Sequence, residues 1–71
     1  MRSDQLNKAL EVFKLNVLLY SESSNVYDSY GEALMNANRD EEAIEMYEKS
    51  LELDPNNENG KKMIEKIKQR K

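Results

Sequence analysis

Five glutamates, Glu41, Glu42, Glu45, Glu48 and Glu52, recur at spacings that set carboxylates side by side on one face of a helix. Paired carboxylates carry acid–base chemistry only where a cleft drives their proton affinities apart. A helix surface supplies no such cleft, so these residues read as a solvated face, and those near the helix start complement its dipole. The stretch "DPNNENGKKMIE" imitates a calcium loop, with Asp54, Asn56 and Glu58 at alternate positions and Glu65 twelfth. Its glycine comes one place late, however, and Asn59 stands where the sharp turn needs it. The same residues are better explained as a turn between helices. With no histidine and no cysteine in the chain, the commonest general base, the commonest zinc ligand and every thiolate site are missing. No catalytic residue, cofactor or metal site is expected.

Charge is unevenly placed. The net charge is −3, yet residues 39–54 carry two positive and seven negative charges, and residues 58–71 six positive and two negative. The basic run from Lys61 to Lys71 could meet phosphates, but the chain is acidic overall and no aromatic interleaves those lysines to stack a base. A solvated helix face is the expected reading, with no nucleic-acid partner. No apolar run is long enough to span a bilayer, and no export signal opens the chain, so no membrane role is expected and the compartment stays open.

These groups must sit on helices. Seventy-one residues with two glycines, one proline, 35% charged side chains and no period-two alternation make one small all-α unit. Punctuation divides it into four helices: about Asp4 to Tyr20, capped by Asp4; Asn25 to Ala37, capped by Ser24; a third capped by Asn38 or Asp40 and ending at Leu53, before Asp54-Pro55; and Asn57 to Gln69.

The chain also repeats itself. Shifted by 34 residues, "ALEVFKLNVLL" falls on "AIEMYEKSLEL", which places Ala9 on Ala43, Leu10 on Ile44, Phe13 on Tyr47 and Val17 on Leu51. The first and third helices are one element used twice. Small residues at Gly31, Ala43 and Ser50 let two helices approach closely, while Tyr27, Tyr30, Leu34, Ile44, Tyr47 and Leu51 fall at helical spacings around them as core.

Residues 24–57 resemble a tetratricopeptide repeat, with Tyr27, Tyr30-Gly31 and Leu34 on the first helix, then Ala43, Tyr47, Ser50 and Pro55. Departures are modest: Tyr30 replaces a leucine, Asp40 an aromatic, and Asn38 a turn glycine whose left-handed backbone asparagine tolerates. The resemblance implies an antiparallel helix-turn-helix array: residues 1–23 as the second helix of a preceding repeat, 24–57 as a complete repeat, and 58–71 as a capping helix. In that last helix Met63, Ile64 and Ile67 form a narrow apolar stripe among lysines. It also implies peptide or protein capture on a concave face, at Asn25, Asp28, Glu32, Met35 and Asn36. This mix is acidic and lacks the Lys and Arg that clamp a peptide carboxylate, so a basic peptide is the expected ligand.

More narrowly, "FKLNV", "NVYDSYGEALM" and "YEKSLELDPNNENGKKMIEKIK" resemble the repeat tail that follows the catalytic domain in bacterial serine hydrolases of the β-lactamase-like and esterase type. No Gly-x-Ser-x-Gly or Ser-x-x-Lys motif is present. The resemblance implies a non-catalytic tail that docks on its parent domain or another protein; self-association of two copies is the alternative.

One stretch remains in excess of the repeat. "LEVFKLNVLLY" is apolar nearly all round, although a surface helix needs one apolar stripe. Leu6, Ala9, Leu10, Phe13, Val17 and Tyr20 form the main stripe, flanked by Val12 and Leu19; Leu15 and Leu18 fall on the charged Lys49 and Glu52 of the third helix. Leu15 and Leu18, with Leu6 and Leu10 of the stripe, are therefore the expected protein interface.

Overall fold

The computed structural model describes the backbone of residues 2–70 and the side chains of residues 7–70. Four helices follow one another: α1 (Arg2–Leu19), α2 (Ser24–Asn36), α3 (Asp40–Leu53) and α4 (Glu58–Gln69). Each packs chiefly on its chain neighbours, α1 on α2, α2 on α3 and α3 on α4. The result is a thin slab whose principal Cα extents are 37 × 32 × 14 Å, an all-α repeat architecture without strands among the described residues. A slab one helix pair deep leaves each helix with a second face that the fold does not cover.

The α2–α3 hairpin is the best-buried part. Gly31 brings the helices close enough that a Cβ built on it would lie 3.1 Å from three atoms of the Tyr47 ring. Tyr47, Ala43 and Ser50 are fully buried along the facing side of α3, with Leu34 closing the layer from α2. Asn38 makes the turn between them at φ 63°, the conformation expected of the residue standing in for glycine. Ile64 and Ile67 bring α4 into the same cluster, while Met63 packs partly buried at its edge.

Helix caps differ from expectation. α2 starts after Ser23, and Ser24 is its first residue, whose carbonyl accepts from the Ser50 hydroxyl at 2.9 Å. Arg39, rather than Asn38 or Asp40, precedes α3 without a side-chain cap. Its first turn instead carries Asp40, Glu41 and Glu42, three carboxylates favourable to the helix dipole. The backbone of α1 is already helical from Arg2, so Asp4 lies inside the helix; its side chain lies outside those described.

Two polar ties hold α4. Asn57 caps it by accepting from the Gly60 amide, while its own amide nitrogen donates to Ser50 Oγ and to Asp28 Oδ2, both at 2.9 Å. At the other end Arg70 Nη2 donates to the Met35 carbonyl at 3.1 Å and pairs with the Asp40 carboxylate. Asp54 accepts from the Asn56 amide, so the residues that imitated a calcium loop form the turn and cap.

Because Tyr47 has no room to move away, Gly31→Val is expected to destabilise the fold by about 2 kcal/mol or more, despite valine's better helix propensity. Urea unfolding followed by circular dichroism checks this.

Candidate protein-binding cleft

Helices α1 and α2 diverge enough to leave a cleft of about 250 Å³ between them. Ala9, Leu10 and Phe13 line it from α1, and Ser29, Glu32, Ala33 and Asn36 from α2. On α1 these positions are the 34-residue counterparts of Ala43, Ile44 and Tyr47. Ala43 and Tyr47 are wholly buried because α2 lies over them, whereas Ala9 and Phe13 remain partly exposed. The cleft thus sets one aromatic ring, Phe13, beside small residues, Ala9, Ser29 and Ala33. It falls short of the usual size of a small-molecule pocket. The other depressions, along Asn38–Glu45 and Glu45–Glu52, each lie on the outer side of α3 and its leading turn and enclose nothing.

Among the described residues lining the cleft, Glu32 is the ionisable one, and its carboxylate favours a positive charge beside it. Asp28, one turn earlier, accepts from Asn57 and from Asn59, and is therefore committed to the fold. Tyr47 lies beneath α2, where burial pushes its hydroxyl up to about 12 and the nearby charges of Asp28 and Glu32 add to the effect. That hydroxyl is sealed from solvent with no hydrogen-bond partner.

Residues 24–57 match the family model for the tetratricopeptide repeat. The match covers 34 of the 71 residues, so the α2–α3 hairpin is similar to a tetratricopeptide repeat. No curated protein and no solved structure matches the chain. Tetratricopeptide repeats mediate protein–protein interaction, and here the small-residue contact between α2 and α3 is complete.

The expected site residues separate into groups. Of the concave-face set, Glu32 and Asn36 line the cleft and Asn25 is exposed nearby in sequence. Met35 does not serve there: it is buried in the core cluster with Ile64 and Ile67, its carbonyl held by Arg70. Asp28 is turned to the α4 cap. Of the expected interface, Leu15 and Leu18 are more than half exposed, but Leu10 is only 7% exposed and belongs to the core, because α2 packs over it. The side chain of Leu6 lies outside those described. Tyr20, expected on the main stripe, and its flanks Val12 and Leu19 are exposed. Phe13, expected on the main stripe of α1, is partly exposed and lines the cleft. Among the described residues no group of three acidic side chains converges on a metal position, and no helix is long and apolar enough to cross a membrane.

The raised Tyr47 pKa sets a sign. Above pH 10 an unfolded tyrosine releases its proton while the folded one holds it until about 12, so stability falls as pH rises through that window. Wild type is expected to lose up to about 1.4 kcal/mol per pH unit more than Tyr47→Phe there. At pH 7 the variant should lie within about 1 kcal/mol of wild type, since the hydroxyl has no partner to lose. Paired urea titrations from pH 8 to 12 measure both.

Proposed function

We propose that this chain is a non-catalytic protein-binding module whose α1–α2 cleft seats one amphipathic helix of a partner protein. The observation that carries this reading is the pairing of Phe13 with Tyr47 across the internal repeat. The Tyr47 face is covered by a helix that presents glycine to the ring. The Phe13 face therefore suits a helix with Gly or Ala at the crossing point and a basic residue toward Glu32.

The finer reading concerns where that helix comes from. Residues 1–23 act as the second helix of a preceding repeat, residues 24–57 as the complete one, and residues 58–71 as the cap. The cap reading is supported by the buried Ile64 and Ile67 beneath exposed Lys61, Lys62, Lys66 and Lys68. The likeness of "FKLNV" and "NVYDSYGEALM" to the tails of bacterial serine hydrolases supports a C-terminal tail that docks on its own catalytic domain.

Energetics limit the strength of a single helix. Covering the exposed part of Phe13 and Ala9 contributes about 1–2 kcal/mol, and ordering a free peptide opposes it. An isolated helix should therefore bind in the high-micromolar to millimolar range, and a tethered one effectively.

A peptide copying residues 24–36 is the probe of the glycine-on-ring packing alone, because that segment covers the equivalent face of α3 and carries no basic residue for Glu32. Titrated into labelled protein, it should shift backbone amide resonances saturably at Ala9, Leu10, Phe13, Ser29, Glu32, Ala33 and Asn36. Ala9→Glu, which fills the trough, should abolish those shifts with the melting temperature nearly unchanged. Shifts spread over α3 and α4, or equal binding by Ala9→Glu, would contradict the cleft.

A further inference from the structure

Asn59, in the first turn of α4, is the only asparagine of the chain that is followed by glycine. Asn-Gly is the pair most prone to lose its side-chain amide, because glycine leaves the following backbone nitrogen open to approach the asparagine Cγ. The fold requires this glycine. Gly60 is buried, and a Cβ built on it would lie 2.9 Å from Asn57 Nδ2. Its amide N–H, the group that must react, donates to Asn57 Oδ1 at 3.2 Å as the helix cap. Asn59 itself is exposed, and its Nδ2 donates to the two Asp28 carboxylate oxygens at 3.2 and 3.3 Å. The reactive amide is therefore also a tie between α4 and α2.

We propose that Asn59 is a site of spontaneous deamidation gated by the Asn57 cap, and that its conversion releases the first turn of α4 from α2. Water is the only co-reactant. The Gly60 nitrogen gives its proton to base and bonds to Asn59 Cγ; the Cγ–Nδ2 bond then breaks, and ammonia leaves with a proton taken back from solvent. Water opens the resulting five-membered imide at either carbonyl, giving aspartate or isoaspartate. No atom is oxidised or reduced.

The closed fold opposes the first step. Ring closure bends the Asn59–Gly60 backbone out of helical dihedrals, and it needs the nitrogen whose N–H Asn57 holds. Reaction thus passes through local opening of this turn, an event that a helix end undergoes far more often than global unfolding. The product resists reclosing. Conversion replaces a donor with a carboxylate facing Asp28, which already accepts from Asn57, and the isoaspartate branch adds a carbon to the main chain inside the turn. At the far end Arg70 still ties α4 to the Met35 carbonyl and to Asp40, so the loosening is confined to the start of the helix.

Peptide mapping by mass spectrometry, on the whole chain held at mildly alkaline pH, tests this. The amide-to-acid mass gain should collect at Asn59 and not at Asn38, Asn56 or Asn57, and Asn59→Gln should show no gain at that position. Chain held unfolded in guanidinium chloride should convert about tenfold faster than folded chain. Asn57→Ala, which removes the cap, should convert about fivefold faster than wild type under folding conditions. The comparison of folded with unfolded chain does not depend on how Asn57→Ala folds. Converted chains, separated by their added negative charge, should exchange the Gly60 and Lys61 amides faster by about fivefold, with the amides of residues 43–50 unchanged. No gain at Asn59, a gain spread evenly over the other asparagines, equal rates in folded and unfolded chain, an Asn57→Ala variant no faster than wild type, or converted chains that exchange like fresh ones would each overturn the proposal.

Discussion

The close crossing of α2 over Tyr47 is the contact on which the rest of the molecule is arranged. Gly31 permits it by having no side chain, and Tyr47, Ala43 and Ser50 are buried because of it. Once those helices are fixed, Ser50 is placed to donate to the Ser24 carbonyl and to accept from Asn57. Asn57 is then placed to begin α4. A small domain near the size where one core is marginal gains its definition from this chain of local contacts rather than from a large interior.

The same contact explains the candidate site by its absence elsewhere. Helix α1 repeats the α3 residues that meet glycine, but its Phe13 faces a trough instead of a helix. An aromatic ring beside small residues is a surface already shaped for close helix packing, so the cleft needs no rearrangement to receive one. Among the described residues Glu32 is the acidic one on its rim, and under the proposed function it would favour a basic partner without supplying much affinity.

Helices, their order and the repeat frame were legible in the sequence, because spacing, turn residues and the 34-residue offset are local or periodic signals. Asn38 was readable as the left-handed turn for the same reason. What escaped was placement across the fold. Met35 and Asp28 read as outward residues of α2, yet contacts with residues about thirty positions later draw one into the core cluster with Ile67 and the other onto Asn57. Val12 and Leu19 read as flanks of a packed stripe, since periodicity ranks positions round a helix but does not say how wide an arc the neighbours cover. Leu10 fell on the covered side of that boundary and Leu15 on the bare side.

The central claim is that α1 is half of a helix pair. It is tested most directly by supplying the other half: a copy of residues 24–39 placed before residue 6, in place of residues 1–5, restores the 34-residue frame. Burying Phe13 under the copied glycine should raise the melting temperature by about 5 °C and slow amide exchange along α1. An unchanged or lower melting temperature, with Phe13 as accessible as before, would contradict the account.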